Sequence, residues 1–413
     1  MIDPGNVLER KGNRMRLWWR VMGVLAVAVL AGVTTAQAQD GIRTDFYGFV
    51  MTDVGYNSDA MDPAWFDVQR PTKLEAFEDQ FGNEGSTFFS VRQTRVGVKS
   101  YIPTDMGEIK TTFEWELFGT GVDAGQTTLR LRHAYGELGS FGAGQTWSPF
   151  MDIDVFPNTV EYWGPPGMAF FRNVQLRVMP IQGDTRMTIA LERPGASGDQ
   201  GDYADRIDAT ADIVPRFPMP DLSAEFRMGR PWGYLELAGI VRAIEWDDVD
   251  GDPTDLSGSV TGWGLNLSSN LKLGAGNVIR LSALHGEGIE NYLNDAPADV
   301  GVEVDGSGNL DGVALPVTGV VAFLDHAWTD KLSSSIGASQ VRIENSNGQS
   351  DSAFKMGQYA LANLLYTPVP QVMMGIETGW VSRENNRDGF ETHNTHVQLS
   401  FKYNFSASIG GGQ

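Results

Sequence analysis

Strict alternation of apolar and polar residues, repeated in many short segments, most constrains what this chain can fold into. In HVQLSFKYNF (396–405), every second residue from Val397 to Phe405 is apolar or aromatic, and the residues between them, including Lys402, are polar. Successive side chains of a strand point to opposite faces, so the pattern predicts a strand with one apolar and one polar face. Such a strand could cover a water-soluble core, or it could turn its apolar face to lipid and its polar face to a wet interior.

The first 38 residues have the organisation of a cleavable signal peptide. A basic stretch ends at Arg20, an apolar run covers 21–33, and Ala36-Gln37-Ala38 supplies a cleavage site. A membrane anchor is the alternative, but the run is shorter than the roughly 20 residues that a spanning helix needs. We therefore expect residues 1–38 to be removed on export, so that the mature chain begins at Gln39.

Composition excludes several classes of function. The chain has no cysteine, so disulfides and thiol chemistry are not available to it. Removal of the five basic and two acidic residues of the leader leaves 26 basic and 50 acidic residues, a balance that argues against binding to nucleic acid. No linker or composition break divides the remainder, and we expect a single domain over residues 39–405.

Connectors of alternating length order the predicted strands. Tight turns such as 103–107 alternate with long acidic loops such as 57–86 and 291–315, as short periplasmic turns and long external loops do in outer-membrane barrels. The predicted strands are 44–56, 87–101, 108–118, 127–138, 142–149, 170–180, 184–193, 222–229, 233–246, 257–270, 277–290, 316–328, 331–345, 352–366, 371–384 and 392–405. The stretch 206–215 also looks strand-like, but a seventeenth strand would leave the last one on the wrong side, and bacterial single-chain barrels have even strand numbers. We therefore assign it to a long external loop, 194–221.

Alternation alone does not separate a membrane barrel from a soluble two-sheet sandwich, which would show a similar pattern. Three features favour the barrel: the number of strands, charges of both signs on the polar faces, and aromatic residues near strand ends, where an interfacial girdle would lie. Closure also removes exposed sheet edges. The predicted fold class is therefore all-β, a 16-stranded antiparallel transmembrane β-barrel, followed by a flexible C-terminal tail over residues 406–413.

The polar faces of the predicted strands carry many arginines. Guanidinium is always charged and binds carboxylates bidentately, so a column of arginines would draw anions through a narrow pore and orient them. Individual arginines could instead pair with lumen acids such as Glu114, Glu116 and Glu192 and brace the wall. As a set, they predict an anion-selective, solute-guiding pore lining. Parity and flanking residues place eight of them inward: Arg95, Arg130, Arg132, Arg177, Arg186, Arg227, Arg242 and Arg280.

Residues 150–169, FMDIDVFPNTVEYWGPPGMA, follow the fifth predicted strand and, in their position, resemble the loop that folds into the barrel in trimeric porins. Their length, their prolines and their aromatic residues predict a packed, inward-folded constriction loop. Asp152, Asp154 and Glu161 could face the arginines across the pore and create a transverse field. The alternative is an ordinary surface loop, because sequence does not show which way the segment folds.

Catalytic and metal-binding motifs are missing from the sequence. The five histidines are scattered without the spacing of a metal site, and there is no GxSxG motif or P-loop. A membrane-embedded hydrolase would need a histidine on the outward face; His133 and His396 are expected there, as girdle residues generally are. The acidic stretch 247–255 lacks the twelve-residue spacing and closing glutamate of a calcium loop. We therefore expect no enzyme, no cofactor and no metal site.

Several stretches resemble known porins. Residues 94–117 and 129–150 are similar to strand pairs of general Gram-negative porins, the second pair leading into the constriction loop. More specifically, five segments resemble the DcaP-like (dicarboxylate-type) trimeric outer-membrane porin family: FFRNVQLRVMP (170–180), GEGIENYL (286–293), NLLYTPVP (363–370), GIETGWVSRENNRDG (375–389) and HVQLSFKYNF (396–405). The resemblance covers nearly the whole mature chain, although the N-terminal coiled coil of some members of that family is missing. Resemblance to this family implies a sixteen-stranded barrel, a homotrimer and the passage of small organic acids.

Together, these observations predict a trimeric channel of the Gram-negative outer membrane that passes small organic acids such as dicarboxylates by passive, anion-preferring diffusion. Its expected partners are small anionic solutes, outer-membrane lipid and lipopolysaccharide. Two alternatives stay open. One is a nonspecific or cation-preferring general porin, which the acidic total would favour, and the other is a structural or adhesive barrel whose loops bind surface partners.

Overall fold

The computed structural model describes residues 41–207, 213–249 and 255–410. The predicted signal peptide, its cleavage site and the last three residues lie outside these ranges. One antiparallel sheet dominates the described chain, and its last strand, Glu391–Gly410, pairs along its length with the first, Arg43–Asn57. Since the two ends of the sheet meet, the sheet closes into a barrel and leaves no wall edge exposed.

Sixteen strands form the wall of the barrel, which confirms the predicted all-β fold class and the strand count. The second strand consists of two segments that are interrupted at residues 91–94. In chain order the strands are β1 Arg43–Asn57, β2 Ser86–Ser90 with Arg95–Thr104, β3 Gly107–Phe118, β4 Thr127–Leu138, β5 Phe141–Trp147, β6 Arg172–Ile181, β7 Arg186–Glu192, β8 Asp221–Arg230, β9 Gly233–Asp248, β10 Gly258–Lys272, β11 Asn277–Glu287, β12 Pro316–Ala327, β13 Leu332–Ile343, β14 Phe354–Val369, β15 Val372–Asn385 and β16 Glu391–Gly410.

Of the strand-like stretch 206–215, which was predicted to belong to a loop, residues 208–212 lie outside the described residues. Within the described residues, Ile213–Arg216 is a short strand that pairs only with the end of β9, Glu245–Asp248. The wall itself passes from β7 directly to β8, which pair from Asp221 and Glu192 onward. A second small element was not predicted: Val300–Val304 and Leu310–Ala314 form a hairpin in the loop between β11 and β12.

The predicted flexible tail is wrong for residues 406–410. These residues continue β16 and pair with the first five residues of β1, from Tyr47 opposite Ser406 to Arg43 opposite Gly410. The hydroxyl of Ser408 also donates to the Asp45 carboxylate at 2.8 Å. Because β1 pairs with β2 on its other side, its first residues would leave one row of backbone groups without partners if β16 ended at Phe405.

The faces of the wall are inverted relative to a soluble protein. In β16, Val397 and Tyr403 are 42% and 54% exposed, whereas Gln398 and Ser400 are fully buried. The apolar faces therefore point to the surroundings, and the polar faces point into the barrel. Within the ranges that the structure describes, no helix is both long and apolar enough to cross a membrane.

Two histidines that were expected to face outward face the interior instead. A β-bulge at Arg132 places both Arg132 and His133 on the inner side, because Glu114 pairs with His133 and Trp115 with Leu131. His133 is buried with its Nδ1 3.0 Å from the Thr146 hydroxyl. His396 is also buried and contacts the Asn57 side chain. Sequence parity misses the first case because a bulge shifts the alternation by one residue.

Candidate functional site

The segment between β5 and β6, residues 148–171, folds into the barrel and is called the inner loop below. Its residues Phe150 and Met168 are completely buried in apolar clusters inside the wall. Tyr162 stacks on Phe118 of β3 with ring centroids 4.0 Å apart. The indole of Trp163 donates to the backbone oxygen of Asn294, in the loop between β11 and β12, at 2.8 Å. The predicted inward fold of this loop is therefore confirmed.

Two acids of the inner loop attach it to the wall. Asp152 accepts hydrogen bonds from the Arg227 guanidinium at 2.6 Å, the Tyr234 hydroxyl at 2.6 Å and the Ser268 hydroxyl at 2.7 Å. Asp154 accepts a second bond from Arg227 at 2.5 Å. Both acids face an arginine, but they form ion pairs with the same residue, Arg227 of β8, rather than lying opposite arginines across an open pore. Their role here is to hold the inner loop in place.

Glu161 also lies in the inner loop, and its carboxylate bonds both to that loop and to residues outside it. It accepts backbone N–H donors from Gln69 at 3.0 Å and from Trp163 and Gly164 at 2.7 Å, and the Tyr359 hydroxyl at 3.2 Å. Burial raises the pKa of Glu161 to about 7. Among the described residues, Glu161 has no ion pair with an arginine, and its contribution to a transverse field stays a prediction.

Three predicted arginines form one cluster with two glutamates of β3. Arg132 contacts Glu114 and Glu116, both at 2.6 Å. Arg95 reaches Glu116 at 3.2 Å, and the Nε of Arg130 donates to Glu116 at 2.9 Å. Three guanidiniums against two carboxylates leave one positive charge. The register brings them together, since Arg95 pairs with Glu116 across β2–β3 and Glu116 pairs with Arg130 across β3–β4.

The other five predicted arginines are dispersed along the inner side of the wall. Arg242 is fully buried between Asp221 and Asp299, so a solute in the lumen cannot reach it. The remaining four have these partners: Arg177 the Trp147 carbonyl at 2.5 Å and Gln175, Arg186 the acids Glu225 and Glu236, Arg227 the acids Asp152, Asp154 and Glu236, and Arg280 the carboxylate of Asp325 at 2.6 Å.

A cavity of about 610 Å³ lies between the inner loop and the wall. Five cationic side chains contribute to its lining, against one acid, Glu161, whose carboxylate is already bonded. Aromatic and aliphatic residues such as Phe156, Phe170 and Leu293 complete the lining. The arrangement could hold a small anion beside an apolar surface. The five cationic residues are Arg95, Arg130, Arg132, Arg172 and Lys402.

Two of the five cationic residues were not among the predicted site residues. Lys402 had a signal, because alternation in β16 places it on the inner face. Alternation gives no such signal for Arg172. It places Arg172 on the same face as Val174, two residues further on, which is 44% exposed on the outer side. Arg172 is the first residue of β6, directly after the inner loop, where the alternation of the strand does not yet apply. Among the described residues, no group of acidic or histidine side chains is suited to a metal ion.

Comparison with solved structures gives a set of outer-membrane channels. The crystal structure of the outer membrane channel DcaP of Acinetobacter baumannii is 21% identical, with a TM-score of 0.75, over 88% of this chain and 98% of that one. The anion-selective porin from Comamonas acidovorans is 8% identical, with a TM-score of 0.57, over 88% and 100%. The trimer form of OmpT from Vibrio cholerae is 13% identical, with a TM-score of 0.53, over 89% and 100%. At these identities the likeness establishes the fold.

Sequence comparison identifies the family. No curated protein matches the chain. The model of the DcaP outer membrane protein family, however, matches residues 31–405. This range is most of the sequence and includes the whole barrel wall except the last five residues of β16. The resemblance noted in the five segments is therefore confirmed, as is the outer membrane as the location. The chain belongs to the DcaP outer membrane protein family and is an outer-membrane porin.

Proposed function

We propose that this porin prefers anions and passes small organic acids such as dicarboxylates by passive diffusion. The observation that carries the proposal is the cavity beside the inner loop, which five cationic residues line against a single, fully bonded acid. The cluster of Arg95, Arg130 and Arg132 keeps one excess positive charge, and Arg172 and Lys402 add two more. A cation entering this cavity meets a repulsive field, whereas an anion is attracted.

The geometry also favours release of the solute. The guanidiniums of Arg95 and Arg132 are held in place by Glu114 and Glu116, so their charge is positioned before an anion arrives. A preorganised charge lowers the desolvation cost of the anion without a rearrangement of the wall. Because the same glutamates compensate most of that charge, the anion is not held so tightly that it cannot leave.

The assembly that we propose is a homotrimer in contact with outer-membrane lipid and lipopolysaccharide, without enzymatic activity. One structural neighbour, OmpT of Vibrio cholerae, has a trimer form, and another, from Comamonas acidovorans, is an anion-selective porin. The exposed apolar side chains on the outer face of the wall, such as Leu129 and Leu176, would meet lipid or a neighbouring copy. For export we propose cleavage after Ala38, which N-terminal sequencing of the membrane form would test.

The second candidate is a nonspecific or cation-preferring porin. The observation that favours it is the formal charge of the chain, −21, much of which comes from acidic residues in loops. Exposed charges more than about a Debye length from the pore, roughly 8 Å at physiological ionic strength, are largely screened, so we give the lining of the cavity more weight. A structural or adhesive barrel is the third candidate.

Recording in planar lipid bilayers separates the three candidates. With a tenfold KCl gradient across the bilayer, the reversal potential gives the permeability of chloride relative to potassium. We expect chloride to be favoured and succinate to reduce the chloride current at millimolar concentration. A preference for potassium would overturn the proposal in favour of a cation-preferring porin. A folded, inserted barrel without conductance would favour a structural role.

A further inference from the structure

We infer that Arg172 and Lys402 are the lumen cations that contact a passing anion directly, whereas Arg95, Arg130 and Arg132 supply mainly a background field. The inference rests on the proposed function and assigns specific residues to it. All five side chains line the same cavity. They differ in what their polar groups already bind, and that difference decides which of them can accept a carboxylate.

Arg172 has a guanidinium without a polar partner. Within the described residues it makes no hydrogen bond and no ion pair, and its Nη1 is buried with no acceptor. Its guanidinium carbon lies 4.7 Å from the ring centre of Trp147 and 5.8 Å from that of Phe170. Such contacts hold the planar group in one orientation but use none of its five N–H donors. A carboxylate that reaches the other, less buried donors of the guanidinium could bind them through two parallel charge-assisted bonds.

Lys402, on another part of the wall, also has a charged group that, among the described residues, contacts an aromatic ring but no hydrogen-bond acceptor. Its ammonium nitrogen lies 4.1 Å from the ring centre of Phe49, and within the described chain no acceptor or acid contacts it. An ammonium group has three donors and is a compact point charge. Lys402 is therefore free to bind an anion, but without the planar fork that Arg172 offers.

The clustered arginines lack this freedom, because each of them forms an ion pair with Glu114 or Glu116. Arg132 is bonded to both Glu114 and Glu116, and Arg130 shares Glu116 with the Tyr162 hydroxyl. An incoming carboxylate would have to displace a glutamate that is fixed in the wall, and the displaced glutamate would lose its counter-charge inside the barrel. Removal of one partner from a buried pair is strongly unfavourable, so exchange with a diffusing solute is disfavoured.

Arg172 and Lys402 lie at opposite ends of the cationic part of the wall. The register leads from Lys402 opposite Met51, through the pair of Phe49 and Arg95 and the cluster on β3 and β4, to Arg172 opposite Trp147. These six strand steps correspond to roughly 29 Å along the wall at a spacing of ~4.8 Å per step. The two residues therefore belong to different parts of the wall and offer a solute two separate contact points.

The experiment uses the full-length protein, purified from outer membranes, with single variants Arg172→Gln and Lys402→Gln. Heat-modifiable migration in SDS gels verifies that each variant forms a folded barrel. Reversal potentials and the succinate concentration that halves the chloride current are then measured in planar bilayers. Loss of one cation at the cavity should raise that succinate concentration about fivefold, the factor that corresponds to the roughly 1 kcal/mol attraction of two charges 4 Å apart in water.

Matched controls remove one charge of the same kind from exposed turns. Arg230→Gln and Lys331→Gln lie at the short turns before β9 and before β13, away from the cavity, and should leave block by succinate as in the wild type. A third variant, Arg172→Lys, keeps the charge but not the fork. It should retain the anion preference of the wild type and weaken succinate block, because only guanidinium binds a carboxylate bidentately.

The outcomes separate the inference from the function on which it rests. A wild-type channel without anion preference would overturn both. An anion-preferring wild type whose succinate block is the same in Arg172→Gln and Lys402→Gln as in the turn controls would overturn the assignment alone. If Arg172→Gln does not fold, Arg172→Lys still decides the matter for Arg172: equal succinate block in Arg172→Lys and the wild type would rule out its direct, forked contact.

Discussion

Arg227 on β8 and Asp152 in the inner loop form a buried ion pair with a nitrogen–oxygen distance of 2.6 Å. The two residues are 75 positions apart in the chain, and the Arg227 guanidinium also stacks 3.7 Å from the ring centre of Tyr234. The side chain of Asp152 has no exposed surface, and that of Arg227 is 8% exposed. Since both charges are withdrawn from water, the loss of either partner would leave a buried, unpaired charge at a high cost in free energy. The pair therefore holds the part of the inner loop around Asp152 against β8.

Substitution of Arg227 with glutamine should release the inner loop. Asp152 would remain buried without its cationic partner, and we expect the free energy of unfolding to fall by about 3–5 kcal/mol. Urea unfolding in detergent, followed by tryptophan fluorescence, measures this loss, and open-channel current noise should rise because the loop moves. Arg230→Gln, an arginine at an exposed turn, is the control. Equal stability of Arg227→Gln and the control would show that the pair does not hold the loop.

Arg242 should act on stability through the loop between β11 and β12. Its guanidinium bonds to Asp221 at 3.1 Å, Asp299 at 2.8 Å and the Gly288 carbonyl at 2.5 Å, and it has no exposed surface. Arg242→Gln should leave Asp299 unpaired and make residues 288–315 sensitive to limited proteolysis from the outside. If protection of this loop is unchanged and the reversal potential shifts, Arg242 acts as a residue of the pore lining instead, as strand alternation alone predicts.

Glu161 should make stability depend on pH. Burial raises its pKa from 4.5 to about 7 in the folded protein, so between these values the folded state keeps a proton that the unfolded state releases. The contribution of Glu161 to stability is therefore greatest below pH 4.5 and decreases as the pH rises towards 7. We expect Glu161→Gln to lower stability overall, because its amide nitrogen meets N–H donors, and to flatten the difference between pH 5 and pH 8. A difference as steep as in the wild type would assign the titration to another group.

Much of the barrel could be predicted because alternation is a local property of the chain. The segment 396–405 shows the inner and outer faces of β16 without reference to any other residue, and connector length then orders the strands. The cluster of Arg132 with Glu114 depends instead on register and on a bulge, which are properties of two strands together. The partner of Asp152 lies on β8, and no local pattern connects the two. Arg172 was not predicted because it lies at the junction of the inner loop and β6, where strand alternation does not yet apply.

The end of β16 offers a direct test of barrel closure. Residues 406–410 pair with Arg43–Tyr47, and the sequence SASI (406–409) continues the alternation of polar and apolar residues, a signal that the prediction of a flexible tail missed. Deletion of residues 406–413 should expose backbone groups of β1 and cost roughly 3 kcal/mol or more, at about 1 kcal/mol for each hydrogen bond lost. Hydrogen exchange at residues 43–47 and the temperature of the gel-migration shift would report the loss.

Deletion of residues 411–413 alone is the matched control, because it leaves every described residue of β16 that pairs with β1 in place. It should behave as the full-length protein does in both measurements. If the longer deletion also leaves exchange at residues 43–47 unchanged, β2 alone protects the start of β1, and closure of the barrel requires β16 only as far as Phe405. Faster exchange confined to residues 43–47 would instead show that the last five pairs of β1 and β16 protect the start of β1.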